Sequence, residues 1–345
     1  MKTLFWSVDK NVDKEDSYSH IQQAADTLRK NEVVAFPTET VYGLGGNAKD
    51  DAAIKKIFEA KGRPSDNPLI IHIANKNQLE ELVEEIPEKA ERLINAFWPG
   101  PLTIIFRQKE GVLSEIATAG LSTVGIRMPD HPVALKLIEE SGLPIAAPSA
   151  NRSGKPSPTK AEHVKEDLES RIAGIVDGGA TGVGVESTVV DCTGSLPIIL
   201  RPGGITKDAL EEVVGQVEMD EALSNEKTKP RAPGMKYKHY APSAPLYLVS
   251  GTKEKIQSLI DEEKKKGKRV GVLTTAENKE FYDADVIYSC GRREELSTVA
   301  TDLYDGLRSF DHENVEIIFG EMFPVDGVGQ AIMNRLMKAA SHRVI

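Results

Sequence analysis

Short apolar runs alternate along most of the chain with longer stretches in which apolar residues return every three or four positions. Val33-Val34-Ala35-Phe36 predicts a buried strand, stopped by Pro37. Residues 52–60 predict a helix with Ile54, Ile57 and Phe58 on one face, and 69–73 the next strand. Further strands are predicted at 102–106, 124–128, 144–147, 172–176, 187–191 and 197–200, with helices over 132–140 and 207–214. From about Gly215 to Pro245 the pattern fails: an acidic stretch is followed by Lys227, Lys229, Arg231, Lys236, Lys238 and His239 among prolines and glycine. That composition reads as a linker. Beyond it, strands at 246–249, 270–273, 286–288 and 315–319 alternate with helices near 253–263, 296–310 and 330–340. The pattern predicts a small parallel sheet resembling half of a doubly wound fold. The chain therefore divides into an α/β domain over 1–214, a linker over 215–244 and a smaller α/β domain over 245–345.

Composition narrows the function. With 40% hydrophobic and 28% charged residues the chain belongs with globular proteins, not disordered ones. A formal net charge of −10 argues against a broadly basic nucleic-acid coat, while leaving room for a local basic pocket. Cys192 and Cys290 are far apart and fit neither a disulfide framework nor a zinc site. No stretch approaches the run of about 20 apolar residues that a membrane span needs. The expectation is a soluble, cytoplasmic protein with no membrane partner.

Polar residues then appear where apolar ones are expected. Pro37-Thr38-Glu39-Thr40-Val41-Tyr42-Gly43-Leu44-Gly45-Gly46 directly follows a predicted strand, and reads as a strand-to-helix turn able to approach a ligand closely. It is neither a dinucleotide fingerprint nor a Walker loop. Lys61-Gly62-Arg63-Pro64 places two cations around a glycine at a helix end, suited to phosphate oxygens. His72 interrupts an apolar strand, as does Arg127, and a buried arginine needs either a substrate carboxylate or an internal Asp or Glu. Ser149-Ala150-Asn151 ends another strand with a hydroxyl and an amide two residues apart. Gly182 to Thr188 and Leu200-Arg201-Pro202-Gly203 repeat the theme. No Ser-His-Asp order and no metal-ligand cluster emerges; the set suits binding and polarising anions.

Taken together, Pro37-Thr-Glu-Thr-Val-Tyr-Gly-Leu-Gly, Lys61-Gly-Arg-Pro, Asn67-Pro-Leu-Ile-Ile-His72, Trp98-Pro-Gly-Pro-Leu-Thr103, Val124-Gly-Ile-Arg-Met-Pro129, Ala147-Pro-Ser-Ala-Asn151 and Val185-Glu-Ser-Thr188 resemble the threonylcarbamoyl-AMP synthase family. Residues of about 15–212 resemble its YrdC-type catalytic domain. Pro233-Gly-Met-Lys-Tyr-Lys-His-Tyr-Ala-Pro242 and the Rossmann-like tail resemble its longer, two-domain branch. The resemblance implies an open twisted α/β catalytic domain that converts L-threonine, bicarbonate and ATP to threonylcarbamoyl-adenylate, pyrophosphate and water. The product would pass to the transferase complex that forms N6-threonylcarbamoyladenosine in tRNA. By resemblance Lys61, Arg63, Ser149 and Asn151 are the signature catalytic pairs. Thr40, His72, Arg127, the Ala147 backbone and Ser187 surround threonine. Arg63, Asn67, Thr123, Ser149, Ser157 and Arg201 surround ATP, joined by His239 and Tyr240 of the linker. Magnesium is expected on the ATP phosphates, with no protein metal site.

The linker segment 231–240 is expected to close over the pocket as a lid and exclude water from a labile adenylate. The rival function is an RNA-binding module that uses the same basic concavity, with tRNA as a weak partner; it lacks aromatic stacking residues among its cations. A carbamoyl-transferring enzyme that shares the catalytic domain would need added zinc-finger or acylphosphatase-like regions, and two cysteines are too few for the former.

Overall fold

The computed structural model describes residues 2–223 and 240–345. Within them, one compact unit contains 2–153, 158–182 and 186–223; the other contains 154–157, 183–185 and 240–345. The predicted linker thus falls largely at 224–239, outside the described residues, as do His239 and most of the expected lid.

In the first unit β1 (Leu4–Ser7) and α1 (Glu15–Arg29) precede the first predicted strand, β2 (Val34–Phe36). Then come β3 (Gly43–Asn47), α2 (Asp51–Lys61), β4 (Ile70–His72), α3 (Lys76–Leu82), α4 (Glu88–Phe97), β5 (Leu102–Arg107) and α5 (Glu115–Thr118). They are followed by β6 (Thr123–Arg127), α6 (Pro132–Ser141), β7 (Ile145–Ala146), α7 (Ala161–Leu168) and β8 (Gly174–Asp177). Last are β9 (Thr188–Asp191), β10 (Ile198–Arg201), α8 (Lys207–Val214) and β11 (Glu218–Met219). Eleven strands form one mixed sheet in the order β1-β8-β2-β3-β7-β4-β6-β5-β9-β10-β11.

One prediction needs correcting. The glycine-rich stretch after Phe36 is not a turn leading into a helix; its second half is β3, an interior strand antiparallel to both β2 and β7. The glycines serve packing. A Cβ on Gly45 would lie 2.7 Å from Phe36 and 2.8 Å from Ile145, so the neighbouring strands' side chains occupy the space a larger residue would need. Helix α2 forms as the apolar spacing predicts. The Asp50 carboxylate accepts from the Ala53 N–H at 2.8 Å as N-cap, Ile54, Ile57 and Phe58 are buried, and Gly62 at φ +63° terminates it.

In the second unit β12 (Leu246–Val249), α9 (Lys253–Lys265), β13 (Val270–Thr274), β14 (Val286–Ser289), α10 (Leu296–His312), β15 (Ile317–Glu321) and α11 (Gly329–Ala339) build a four-stranded sheet. The order is β12-β15-β13-β14 and every pair is parallel. Ile256 and Ile260 of α9 pack on one face, against Val270, Val272 and Phe319. Gly271 faces the other way, where an added Cβ would meet Phe310 of α10 at 2.9 Å. Both faces of this sheet are covered, as expected of a parallel sheet.

Candidate active site

Strand register decides which side chains of the first sheet share a face. His72 pairs with Arg127 across β4 and β6, and with Ile145 across β4 and β7. Phe36 pairs with Gly43, Thr103 with Val189, and Val189 with Arg201. Because successive residues of a strand point to opposite faces, Phe36, Gly43, Gly45, His72, Thr103, Arg127 and Arg201 lie on one side. Their sequence neighbours Ala35, Leu44, Ile71, Ile104, Ile126, Ala146, Val190 and Ile199 lie on the other, and all eight belong to the main apolar core. One face of the sheet is therefore apolar throughout, while the other is apolar where Val34, Phe36 and Ile145 pack with α1 and α6 and polar beside them. Irregular pairing between Ile199 and Arg201 sets the latter opposite Val189, on the polar face.

Arg127 is almost fully buried and held on three sides. Its Nε donates to the Gly100 carbonyl at 3.2 Å and its Nη1 to Thr40 Oγ1 at 2.9 Å. Its Nη2 lies 2.6 Å from Glu39 Oε2, a close ion pair that lacks the alignment of a hydrogen bond. Of the two partners the sequence allows for this arginine, an internal carboxylate is present, and it is Glu39. Thr40 Oγ1 is also 2.8 Å from Thr38 Oγ1, which donates to the Val41 carbonyl at 2.7 Å. The Pro37–Val41 turn is thus locked by its own hydroxyls.

His72 is buried, edge-on to Phe36 with ring centroids 6.2 Å apart, and its Nδ1 has no hydrogen-bond partner among the described residues. Burial first, and the Arg127 charge second, push its pKa down to about 3. The ring is therefore a neutral imidazole at physiological pH. His131 is likewise buried with both ring nitrogens unpartnered, and burial lowers its pKa to about 4 against the opposing pull of Glu39.

Further along the same face, Thr103 Oγ1 and Ser187 Oγ are 2.7 Å apart. Arg201 Nη2 donates to the Ser187 carbonyl at 2.9 Å and to its Oγ at 3.1 Å. A second cluster sits where α2 meets the loop after β7. The Lys61 ammonium donates to the carbonyls of Ser149 and Asn151, the latter at 2.7 Å, while Ser149 Oγ donates to Asn151 Oδ1 at 2.5 Å. The loop is also bound to the sheet: Leu44 N–H donates to the Pro148 carbonyl and Ala150 N–H to the Tyr42 carbonyl, each at 2.8 Å. The Ala147 N–H donates to the Ile70 carbonyl at 2.9 Å. Arg63 follows the Gly62 cap, its guanidinium 6.0 Å from the Phe58 ring centre and 3.4 Å from the Asn67 carbonyl. Thr123 begins β6.

The structure thus gathers two groups from the predicted residues: Thr40, His72, Arg127, Ser187 and Arg201 on the polar face, and Lys61, Arg63, Asn67, Ser149 and Asn151 around the α2 terminus. Ser157 and Tyr240 belong to the second unit. There Tyr240, at φ +63°, stacks on Tyr304 with centroids 5.3 Å apart, and the Arg335 guanidinium lies 5.8 Å from its ring centre. Sequence reasoning gave no role to Glu39, Thr103 or His131. The need of a buried arginine for a carboxylate was the signal for Glu39; nothing in the spacing marked His131.

Similarity to known proteins agrees with this geometry. A family model described as "Telomere recombination", covering Sua5, YciO and YrdC proteins, matches residues 26–203. A second, described as "Threonylcarbamoyl-AMP synthase, C-terminal domain", matches 205–341. The threonylcarbamoyl-AMP synthase of Bacillus subtilis is 62% identical over the whole of both chains. That of Pyrococcus abyssi is 50% identical over 94% of this chain and 95% of its own. Among solved structures, P. abyssi Sua5 complexed with L-threonine superposes with a TM-score of 0.93 at 48% identity, covering 99% of each chain. With both of its units and its full length matched, the chain belongs to the threonylcarbamoyl-AMP synthase family.

Proposed function

We propose that this chain is an L-threonylcarbamoyl-adenylate synthase, which condenses L-threonine, bicarbonate and ATP with release of pyrophosphate and water. The observation that carries the reading is the polar sheet face, where Thr40, His72, Arg127 and Ser187 are buried directly behind a continuous apolar core. Most of these groups satisfy one another, but His72 Nδ1 and Arg127 Nη2 have no hydrogen-bond partner among the described residues, which is costly unless a ligand uses them. The activity named for the relatives, and the threonine held by the P. abyssi structure, support it.

The chemistry follows from the residue types. Threonine's amine and bicarbonate give a carbamate, whose anionic oxygen attacks the α-phosphorus of ATP as pyrophosphate leaves. The nucleophile is already charged, so positioning and charge neutralisation do the catalytic work. Arg127 has five N–H donors, and its three protein partners leave two for the threonine carboxylate. Glu39 fixes the plane in which that fork lies. His72, neutral and with a free Nδ1, is placed to pair with the threonine hydroxyl; valine would leave it unpaired and be disfavoured. Lys61 shapes the Ser149–Asn151 loop by binding its carbonyls, and with Arg63, Asn67, Thr123 and Arg201 it forms the nucleotide side. Magnesium would arrive on the ATP phosphates, where it neutralises charge.

The product is a labile mixed anhydride, and its consumer would be a transferase acting on tRNA. No described helix is long and apolar enough to cross a membrane, and we propose that the enzyme works in the cytoplasm. The test is to incubate the pure chain with ATP, L-threonine and 13C-bicarbonate and analyse the nucleotides by mass spectrometry. An adenylate that carries both threonine and the label is expected. Formation of only AMP or ADP would sink the reading.

A further inference from the structure

The second unit contains a cavity of about 590 Å³ at the carboxyl ends of β12, β13 and β15. Its position follows from topology. β12 and β15 are neighbours, yet β12 leads into α9, which packs across β15 and β13, while β15 leads into α11, which packs on β12. The two connections leave in opposite directions, and crevices at such points are where open parallel sheets bind ligands.

The polar wall of the cavity is rigid. Glu321 is buried, and its Oε1 accepts from Thr274 Oγ1 at 2.6 Å, Asn278 Nδ2 at 2.9 Å and Tyr282 Oη at 3.0 Å. Burial and this carboxylate together hold the Tyr282 phenol well above its usual range, so it stays a donor. Glu321 Oε2 accepts from Arg293 Nη1 at 3.2 Å. Arg293 Nη2 donates to the Met322 carbonyl at 2.6 Å, and the guanidinium lies 5.2 Å from the Phe323 ring centre. Arg293 is therefore oriented by three neighbours while three of its five N–H groups remain unused. Lys253 lines the same cavity; its ammonium lies 4.5 Å from the Phe281 ring centre and has no ion-pair partner among the described residues.

The lining holds two cations against one carboxylate that four donors already occupy, with the exposed Glu254 acting on Tyr282 from nearby. A cation has no free acceptor cluster to coordinate, whereas an anion meets pre-oriented donors. Ile256 and Phe323 add apolar surface beside them, and the volume falls within the range of about 300–1,000 Å³ typical of small-molecule sites. We propose that the second unit is a binding module for a small organic anion, a carboxylate or phosphate on a partly apolar body, gripped by Arg293 and Lys253. The proposal does not depend on the reaction of the first unit.

Hydrogen–deuterium exchange on the full-length chain tests it, because peptides from the two units are read separately. The probes are AMP, indole-3-acetate and, as an uncharged control, adenosine. Protection of 249–256 and 321–324 by AMP or by indole-3-acetate, but not by adenosine, is the expected result. Protection by AMP alone assigns a phosphate, and by indole-3-acetate alone a carboxylate. The Arg293→Gln/Lys253→Gln variant should weaken that protection at least tenfold. Lys253→Gln alone, at an exposed position, should weaken it severalfold even if the double variant folds poorly. No protection of these peptides by either anion, equal protection by adenosine, or undiminished protection in both variants would overturn the proposal.

Discussion

The two sheets place their polar chemistry in different ways. In the second unit every strand is parallel and both faces are covered, so polar side chains such as Thr274 and Glu321 occur at strand ends, beyond the helices' reach. In the first unit strand directions are mixed, so His72, Arg127 and Arg201, which end β4, β6 and β10, come to lie beside Thr103 near the start of β5. The parallel sheet gathers polar groups only at its carboxyl ends; the mixed sheet brings carboxyl ends and an amino end together. The consequence for stability is that the first unit joins strand ends through one buried charge pair, Arg127 with Glu39, whereas the second buries Glu321 at a strand end and Arg308 and Arg335 on its helices.

The largest effect should come from breaking that buried charge. Arg127→Gln leaves Glu39 buried without its cation, which should cost roughly 3–5 kcal/mol in urea unfolding and abolish threonine-dependent pyrophosphate release. An effect below 1 kcal/mol would mean that Glu39 reaches water and that the polar face is not closed. Next, glycine substitutions compare the two sheets directly. Gly45→Ala and Gly271→Ala each force a Cβ to within 3 Å of an aromatic ring, and each should destabilise by about 1–3 kcal/mol. Only Gly45→Ala, which displaces Phe36 from beside His72, should raise the KM for threonine; equal kinetic effects would erase the contrast.

A pH dependence is read as a slope rather than as a single step. His72 and His131 have pKa values lowered to about 3 and 4 in the fold, so below the ordinary histidine pKa the unfolded chain takes up protons that the folded chain does not. Stability should therefore fall as pH drops from about 6.5 toward 4, by up to roughly 1.4 kcal/mol per pH unit for each histidine. His131→Phe should reduce the slope measured by urea titration at pH 7, 6 and 5. An unchanged slope would mean that His131 is not buried as described.

Much of this was legible in the residues. His72 and Arg127 stand out because each breaks an apolar strand at a position where alternation demands a reason. Lys61-Gly-Arg is visible as a helix end, since Gly62 is the αL terminator and the apolar stripe of α2 stops just before it. What was not legible depends on partners distant in sequence. Nothing local distinguishes β3 from a loop, because glycine weakens a strand unless flanking strands bring side chains such as Phe36 and Ile145 over it. The pairing of Glu39 with Arg127 joins residues 88 positions apart only through the β2–β3 turn and the end of β6. The placement of Ser157 and Tyr240 in the second unit likewise depends on contacts with helices far along the chain, including the stack of Tyr240 on Tyr304.

The central claim is that the polar face of the first sheet binds threonine through the fork of Arg127. Calorimetric titration of L-threonine into the wild-type chain and into Arg127→Lys tests it most directly, because lysine keeps a cation beside Glu39 but loses the planar pair of donors. The account predicts that the variant folds, retains its affinity for ATP, and binds threonine at least tenfold more weakly, about 1.4 kcal/mol or more. Threonine affinity equal to wild type would contradict it.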